Sequence, residues 1–245
     1  MPRYPLGKKP PRHDPRTLQF AKYLTDWTPD TPSQAHWGNH LPFTMLGNDQ
    51  YGDCVEAGYA HQVQVWCDRA GHPFAPTEQE TLGAYSAITG FSPDDPSTDQ
   101  GTDMLTACGY WKSTGLAGHT VDAYLAIQPS ETVFIKDAIA FYGGCYIGLA
   151  MPVSAQGQVG SLWTVTTGPD AEAGSWGGHA VNLTGYDADT LWCTTWGALQ
   201  AMTWEWLTAY LDEAFVLLSR DWLRASGQSP SGLAWGALQA DLANL

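Results

Sequence analysis

Two short motifs, 125 residues apart, constrain the fold of this 245-residue chain more than any other feature. The first is Gly52-Asp53-Cys54-Val55, which directly precedes a segment that predicts a helix. The second is Gly177-Gly178-His179-Ala180-Val181, whose composition predicts a β-strand. A thiol at a helix N-terminus is activated by the helix dipole, and an imidazole beside it takes its proton. We therefore expect a fold that brings a helix start and a distant strand to one crevice.

The composition indicates a globular chain with a substantial core. Hydrophobic residues make up 44% of the sequence, and there are 12 Trp and 11 Tyr residues. These large rings are suited to a packed core and to the walls of a groove. The formal net charge of −14 opposes binding to phosphate backbones and to anionic membranes. We therefore expect neither a nucleic acid nor a membrane as a partner.

The cysteines argue against a structural metal site and against a disulfide framework. Their number is odd, their spacing is irregular and no CxxC occurs. The five positions are Cys54, Cys67, Cys108, Cys145 and Cys193. We expect four buried or idle thiols in a reducing compartment and one thiol with a function. There is also no P-loop and no Gly-x-Gly-x-x-Gly motif, and we predict no metal and no cofactor.

Residues 1–16 form a proline-rich, basic segment, which predicts an extended arm. The segment carries five basic residues and a single acidic one, whereas the rest of the chain is strongly acidic. The arm is therefore suited to contact an acidic protein surface, either the chain's own body or a partner such as a virion surface. It lacks the apolar core of a signal peptide, which predicts a cytoplasmic or phage-particle location.

The rest of the chain changes in character near residue 144. Helices are predicted at Arg16–Leu24, Cys54–Arg69 with Asp53 as N-cap, Glu78–Ile88 with a Thr77 capping box, Asp103–Ser113, and from a Ser130 cap to Phe141. Strands are predicted at Cys145–Ala150, Trp163–Thr167, Ala180–Tyr186, Leu191–Thr195 and Phe215–Leu218, with a helix at Thr203–Leu211 and another at Gly232–Leu245. The prediction is a single α+β domain over residues 17–245, with a helical lobe over 17–143, a strand-rich lobe over 144–219, a helical tail over 220–245 and a cleft between the lobes.

The motifs resemble those of papain-like cysteine peptidases, in which Gly-x-Cys opens a helix, His-Ala-Val lies in a strand and Trp-Gly follows. Here the last pair is Trp196-Gly197. Gly185-Tyr186-Asp187 and Met202-Thr203-Trp204 also resemble the bacteriocin-processing C39-like branch, and the chain resembles papain-like proteins of actinobacteria and their phages. The resemblance extends from Trp37 to Leu218. It implies a two-lobed papain-like fold, in which the cysteine-bearing helix packs on an antiparallel sheet or barrel.

The resemblance also implies a role for each catalytic residue. Cys54 is the nucleophile, and His179 is the base and then the acid. Asn48, six residues before Cys54, or the nearby Gln50 donates to the oxyanion in place of the glutamine of the family. Thr194, two residues before Trp-Gly, replaces the family's asparagine and orients the imidazole weakly. Counting from the histidine, as in the C39-like branch, leads to the neighbouring threonine instead, at position 195.

The residues that flank the two motifs are expected to line the binding site. They are Gly52, whose small size permits a close backbone approach, Asp53, Gly178 and Trp196. The expected ligand is a peptide, or the peptide of peptidoglycan.

Three functions remain open. The first is a peptidase or amidase that hydrolyses a peptide or isopeptide bond. The second is a catalytically inactive papain-fold module, such as a virion component docked through residues 1–16, because Thr194 stands in place of asparagine. The third is a transglutaminase-like acyl transfer to an amine, which uses the same thioester chemistry.

Overall fold

The computed structural model describes residues 4–22 and 30–231, and its centre is one antiparallel sheet. The strands within these residues are β1 (Ala35–His36), β2 (Ala123–Ile127), β3 (Cys145–Met151), β4 (Gly177–Tyr186), β5 (Thr190–Thr195), β6 (Ala198–Thr203) and β7 (Leu211–Leu218). The order across the sheet is β2-β7-β3-β4-β5-β6, and β1 pairs with β4. The helices are α1 (Cys54–Ala70), α2 (Glu78–Thr89), α3 (Met104–Ser113), α4 (Thr132–Tyr142) and α5 (Trp204–Tyr210). The α+β prediction is confirmed.

Helix α1 begins at Cys54, as the sequence predicts. Asp53 occupies the N-cap position, but its side chain makes no capping hydrogen bond. The helix ends at Gly71, which adopts a left-handed conformation with φ 90°. Almost the whole helix is buried, and Gly58 permits its close approach to the sheet, because a Cβ there would lie 3.2 Å from Tyr146 Cε2. The cysteine-bearing helix is therefore the central helix of the fold.

Side-chain caps fix the starts of the next two helices. The Thr77 hydroxyl accepts a hydrogen bond from the N–H of Glu80, whose carboxylate accepts one from the N–H of Thr77. Asp103 accepts a hydrogen bond from the N–H of Thr106 at the start of α3. Both starts are confirmed, because each cap satisfies an N–H group that the helix leaves without a partner.

Two expectations about local structure are wrong. Helix α4 has Glu131 at its N-cap position, because residues 128–131 form a turn that places Ser130 ahead of the helix. The segment Trp163–Thr167 is not a strand, since only Trp163 pairs with the sheet, in a single bridge to Met202. The indole of Trp163 is buried in the core, whereas the residues that follow it turn towards solvent.

The sheet also contains strands that the sequence pattern did not reveal. Strand β2 lies in the half of the chain predicted to be helical, yet it pairs with β7. Its alternation of buried and half-buried residues is typical of a strand, but alanines at 123 and 126 weaken that pattern in the sequence. Strand β6 pairs with β5 through a tight turn at Trp196-Gly197. The sheet therefore takes strands from both sides of residue 143.

Hydrophobic residues pack on both faces of the sheet. One cluster joins α4 and α5 to the sheet, and the other joins α1 and α3 to it. In the second cluster, Tyr59 of α1 stacks on Trp111 of α3 with ring centroids 4.3 Å apart. This packing fixes the start of α1 relative to the strands, and thus positions the candidate site.

The two ends of the chain are only partly described. Of the predicted helix at Arg16–Leu24, the structure shows a three-residue 3₁₀ turn at Phe20–Lys22, and residues 23–24 lie outside the described part. The helix predicted at Gly232–Leu245 lies wholly outside it. Within the described residues, no helix has both the length and the apolar character needed to cross a membrane.

Candidate active site

Cys54 lies where helix α1 meets strand β4. The backbone of Ala180 and that of Gly7 lie beside its thiol and act to lower its pKa. Ala180 directly follows His179 in β4, so the helix start and the histidine-bearing strand meet at the cysteine. The hydroxyl of Tyr146 donates to the carbonyl of Val55 at 2.6 Å and ties the helix start to β3. The structure thus brings together the two segments that the sequence singled out.

The imidazole of His179 is held on one side and free on the other. Its Nε2 lies 2.7 Å from Oγ1 of Thr195, and its ring stacks on Trp196 at a centroid distance of 4.5 Å. Its Nδ1 is buried and has no hydrogen-bond partner among residues 4–22 and 30–231. This leaves Nδ1 available to exchange a proton with a nucleophile.

We expected Thr194 to orient the imidazole of His179. The hydrogen-bond partner of His179 is instead Thr195. The hydroxyl of Thr194 lies 3.5 Å from the carbonyl oxygen of Asn182. Successive side chains of a strand point to opposite faces, so only one of two neighbouring threonines can reach the imidazole. Counting from the histidine, and not from Trp-Gly, therefore leads to the threonine that contacts the imidazole, Thr195.

The two amides expected at the oxyanion differ in position. Asn48 is buried, and its Nδ2 donates to the carbonyl of Tyr51 at 3.1 Å within the same loop. Gln50 is exposed and lines the cleft beside Gly52. Of the two alternatives, the geometry favours Gln50, because Asn48 is buried within the loop whereas Gln50 lies in the cleft.

A polar cleft of about 1050 Å³ runs past the start of α1. Its walls come from the loop before the helix, from the loop that precedes α3, from residues 156–176 and from the N-terminal arm. The lining residues are Tyr4, Pro5, Leu6, Gly7, Lys8, Lys9, Pro10, Asp49, Gln50, Gly52, Asp99, Gln100, Gly101, Gln156, Val159 and Trp176.

The N-terminal arm lies in this cleft as an extended segment. The N–H of Lys8 donates to the carbonyl of Gly178 at 3.1 Å, and the N–H of Thr102 donates to the carbonyl of Gly7 at 2.7 Å. Gly7 passes so close to Gly52 that a Cβ on Gly7 would lie 1.7 Å from the Gly52 carbonyl oxygen. The arm therefore contacts the chain's own body, and its backbone occupies the hydrogen-bonding groups on both sides of the cysteine.

The arm also covers the aromatic residues of the site. The ring of Tyr4 stacks on Trp196 with centroids 4.5 Å apart, and Trp196 in turn covers His179. Cys54 is 1% exposed and His179 is 0% exposed. Both catalytic candidates are thus shielded from solvent in the presence of the arm.

Burial makes the cysteine and the histidine neutral at neutral pH in this arrangement. It raises the pKa of Cys54 to about 12, although the backbone hydrogen bonds oppose this. It lowers the pKa of His179 to about 3. The sequence led us to expect a thiolate–imidazolium pair. In the arm-covered site the pair is absent, because neither charged form is solvated.

Comparisons with known proteins identify the architecture through structure alone. No family model and no curated protein sequence matches the chain. Xylellain, a cysteine protease from Xylella fastidiosa, superposes with a TM-score of 0.68 at 14% identity, covering 89% of this chain and 98% of its own. Digestive procathepsin L 3 of Tenebrio molitor gives a TM-score of 0.56 at 14% identity, covering 83% of this chain and 74% of its own.

A cysteine protease of Carica candamarcensis, solved in complex with E-64, gives a TM-score of 0.54 at 14% identity, covering 77% of this chain and 99% of its own. The chain has the papain-like fold. The expectation drawn from three short motifs is therefore confirmed at the level of the fold.

Buried carboxyl groups support the loops of this papain-like site from below. The hydroxyl of Thr102 donates to Glu56 Oε1 at 2.7 Å, and Asp99 accepts from the N–H of Gly52 at 3.1 Å. Burial raises the pKa of Glu56 to about 8 and that of Asp53 well above its usual range. We expected Asp53 to line the binding site. Its side chain is instead fully buried beneath the helix start.

A second cysteine–histidine pair lies elsewhere on the papain-like fold. Nδ1 of His119 lies 3.0 Å from Asp221 Oδ2 and 3.8 Å from the sulfur of Cys67. These three residues are far apart along the chain, so no local sequence pattern indicates the contact. The thiol and the carboxylate face the same ring nitrogen, so they compete for one proton instead of forming a relay. The contact of His119 with Asp221 accounts for this arrangement without a catalytic role.

Proposed function

We propose that this chain is a cysteine peptidase or amidase that hydrolyses a peptide or isopeptide bond through Cys54 and His179. The observation that carries the proposal is that the helix start with Cys54 meets strand β4 at Ala180, next to His179. The Nε2 of His179 is held by Thr195, and its Nδ1 has no hydrogen-bond partner among the described residues. An unpaired buried nitrogen is costly, so Nδ1 of His179 is expected to gain a partner in the reacting form. Proton exchange between Nδ1 of His179 and the thiol of Cys54 would account for this unpaired nitrogen.

The reaction follows from these positions. Cys54 gives its proton to Nδ1 of His179, and the thiolate attacks the carbonyl carbon to form a carbon–sulfur bond. The N–H of Cys54 and the amide of Gln50 stabilise the oxyanion. The carbon–nitrogen bond then breaks, and the imidazolium protonates the leaving amine. A water molecule, deprotonated by His179, hydrolyses the thioester, releases the carboxylate and regenerates the thiol.

The arm-covered arrangement is, in this proposal, the resting form of the enzyme. A substrate needs the carbonyl of Gly178 and the N–H of Thr102, and the arm already uses both. Displacement of the arm opens the cleft and returns water to the thiol and the imidazole. The pKa of the thiol then falls and that of the imidazole rises, which favours the reactive ion pair.

Hydrolysis of a fluorogenic peptide pool by the full chain tests the proposal. We expect the Lys8→Asp variant, which weakens the arm contact, to cleave peptides, and Cys54→Ser in the same background to be inactive. Cys145→Ser is the matched control, because Cys145 is an equally buried free thiol in strand β3. Cleavage that survives Cys54→Ser would overturn the proposal.

The alternative is an inactive papain-fold module, and the tight seating of the arm favours it. It predicts no hydrolysis even after displacement of the arm.

Acyl transfer to an amine is distinguished from hydrolysis by adding an amine acceptor. A transferase releases the amide of that amine in place of the free acid. A peptidoglycan peptide as substrate, a virion as partner, and a C39-like or phage relationship stay proposals. The same peptide pool, extended with peptidoglycan peptides, tests the first of them.

A further inference from the structure

A lysine of the arm is buried in the cleft. The side chain of Lys8 is 0% exposed, which is rare for a lysine unless it is paired. Its Nζ lies 2.9 Å from Asp212 Oδ2 and 3.0 Å from Glu213 Oε1. Lys8 directly follows Gly7, the arm residue whose backbone reaches the sulfur of Cys54. The side chain of Lys8 thus fills an acidic pocket beside the cleft, and the arm residue before it, Gly7, lies at Cys54.

Glycines shape this pocket for a long side chain. A Cβ at Gly148 in β3 would lie 2.1 Å from Cε of Lys8, and a Cβ at Gly178 in β4 would lie 2.2 Å from the carbonyl oxygen of Lys8. A larger residue at either position would close the pocket or displace the backbone of the occupant. At Gly148 the pairing of β3 with β7 also changes register, next to the two carboxylates.

The pocket favours a cation over a neutral occupant. Glu213 is 8% exposed, and burial raises its pKa to about 7 although Lys8 lowers it. The two neighbouring carboxyl groups, of which Glu213 is the more buried, repel each other when both are ionised, and burial costs Glu213 solvation. An ammonium or guanidinium group offsets both the repulsion and the lost solvation, and a neutral side chain offsets neither.

We propose that the pocket formed by Gly148, Asp212 and Glu213 binds a basic side chain of the substrate. The chain would then select peptides that carry Lys or Arg close to the bond attacked by Cys54. This inference rests on the proposed function, and Lys8 occupies the pocket as such a side chain would. The arm then covers the cleft, and its Lys8 mimics the basic side chain of the preferred substrate.

Binding to a full-length but inactive variant tests this inference without catalysis. The variant carries Cys54→Ala and Lys8→Ala, so that the pocket is free of the arm's side chain. The probes are three capped tripeptides with a central Arg, norleucine or Glu, followed through the fluorescence of the cleft tryptophans. We expect the Arg peptide to bind at least about tenfold more tightly than the norleucine peptide, because its charge pairs with two carboxylates.

Two further changes assign the effect to the pocket. Asp212→Asn with Glu213→Gln should abolish the preference for Arg. Gly148→Ala should weaken binding of the Arg peptide by filling the path of its side chain. Gly83→Ala is the matched control, because nothing lies within 4 Å of a Cβ there. A thermal melt of each variant confirms that it is folded.

The outcomes separate this inference from the proposed function. Equal binding of the Arg and norleucine peptides to the folded variant would overturn the inference, whether or not the chain is a peptidase. If the Arg peptide binds preferentially but the chain that retains Cys54 hydrolyses no peptide, the inference about the pocket stands and the proposed peptidase function is wrong. In the active Lys8→Ala chain, the same tenfold preference should appear in kcat/KM for the corresponding substrates.

Discussion

The hydroxyl of Thr195 lies 2.7 Å from Nε2 of His179, beneath the indole of Trp196. This contact gives the imidazole one fixed orientation. When Nε2–H donates to the hydroxyl, the lone pair of Nδ1 is left for the thiol proton. In the proposed reaction, Thr195 takes the orienting position that an amide or a carboxylate fills in related chemistry. A neutral hydroxyl supports an imidazolium less than a carboxylate would.

We expect Thr195→Ala to lower kcat/KM by about 10- to 100-fold in the Lys8→Asp background. Loss of the hydroxyl leaves a buried ring nitrogen unpaired, which costs about 1–3 kcal/mol. The pH profile of kcat/KM should also shift, because the tautomer and the pKa of the imidazole both depend on this hydrogen bond.

Thr194→Ala is the matched control for that change. Thr194 is equally buried in the same strand, but its hydroxyl faces the carbonyl of Asn182. It should keep nearly full activity and an unchanged pH profile. If Thr194→Ala were the damaging variant and Thr195→Ala the harmless one, the positioning role given to Thr195 would be wrong.

Lys8→Asp should release the arm from the cleft. It replaces two buried ion pairs by repulsion from Asp212 and Glu213, and breaking a buried pair costs about 3–5 kcal/mol. Alkylation of Cys54 by iodoacetamide should accelerate by at least about 100-fold, because each 1.4 kcal/mol is a factor of ten in population. Mass spectrometry of the labelled peptide measures this rate.

Lys9→Asp has the same charge change at the neighbouring position and serves as the control. The side chain of Lys9 is exposed and lies outside the acidic pocket. Its variant should be labelled almost as slowly as the unmodified chain. Equal acceleration in both variants would mean that general charge, and not the pocket, holds the arm.

The pH dependence of labelling should differ between the covered and the open site. In the unmodified chain, burial raises the pKa of Cys54 to about 12, so the thiolate fraction decreases as pH falls below that value. Labelling should therefore rise by about tenfold per pH unit between pH 7 and 10. In Lys8→Asp, the solvated thiol beside His179 should have a pKa below that of a free thiol, and its rate should be nearly constant over this range. A steep rise in both chains would contradict the proposed ion pair.

Thr77→Ala tests the fold independently of the site. It removes the hydroxyl that accepts the N–H of Glu80 at the start of α2. The free energy of unfolding should fall by about 1 kcal/mol, as for other capping residues, in urea denaturation followed by circular dichroism. The labelling rate of Cys54 should not change. A loss of several kcal/mol would show that α2 is coupled more strongly to the core than its single cap implies.

Local signals in the sequence predicted much of the fold. The starts of α1, α2 and α3 follow from short-range capping patterns and are confirmed. The observed end of α1 at Ala70 lies one residue beyond the predicted end, and Gly71 follows it as a left-handed C-cap. Strand β2 escaped prediction because its pairing with β7 is a contact between distant segments, and two alanines weaken its pattern.

The site was predictable only in its main elements. The motifs led to Cys54 and His179, but the sequence alone does not tell which face of β5 carries a given side chain. One residue of register separates Thr194 from Thr195, and the pleat places them on opposite faces. The position of the arm is a tertiary contact with no local signal. Its basic charge indicated only that an acidic surface would attract it.

The central claim is that Cys54 is a nucleophile activated by His179 and covered by the arm. Its most direct test is the rate of iodoacetamide labelling of each cysteine at pH 7 in full-length Lys8→Asp, with and without His179→Ala. The account predicts that Cys54 is labelled faster than a model thiol and faster than the other four cysteines, and that His179→Ala removes this advantage. Labelling of Cys54 no faster than the model thiol, or unaffected by His179→Ala, would contradict it.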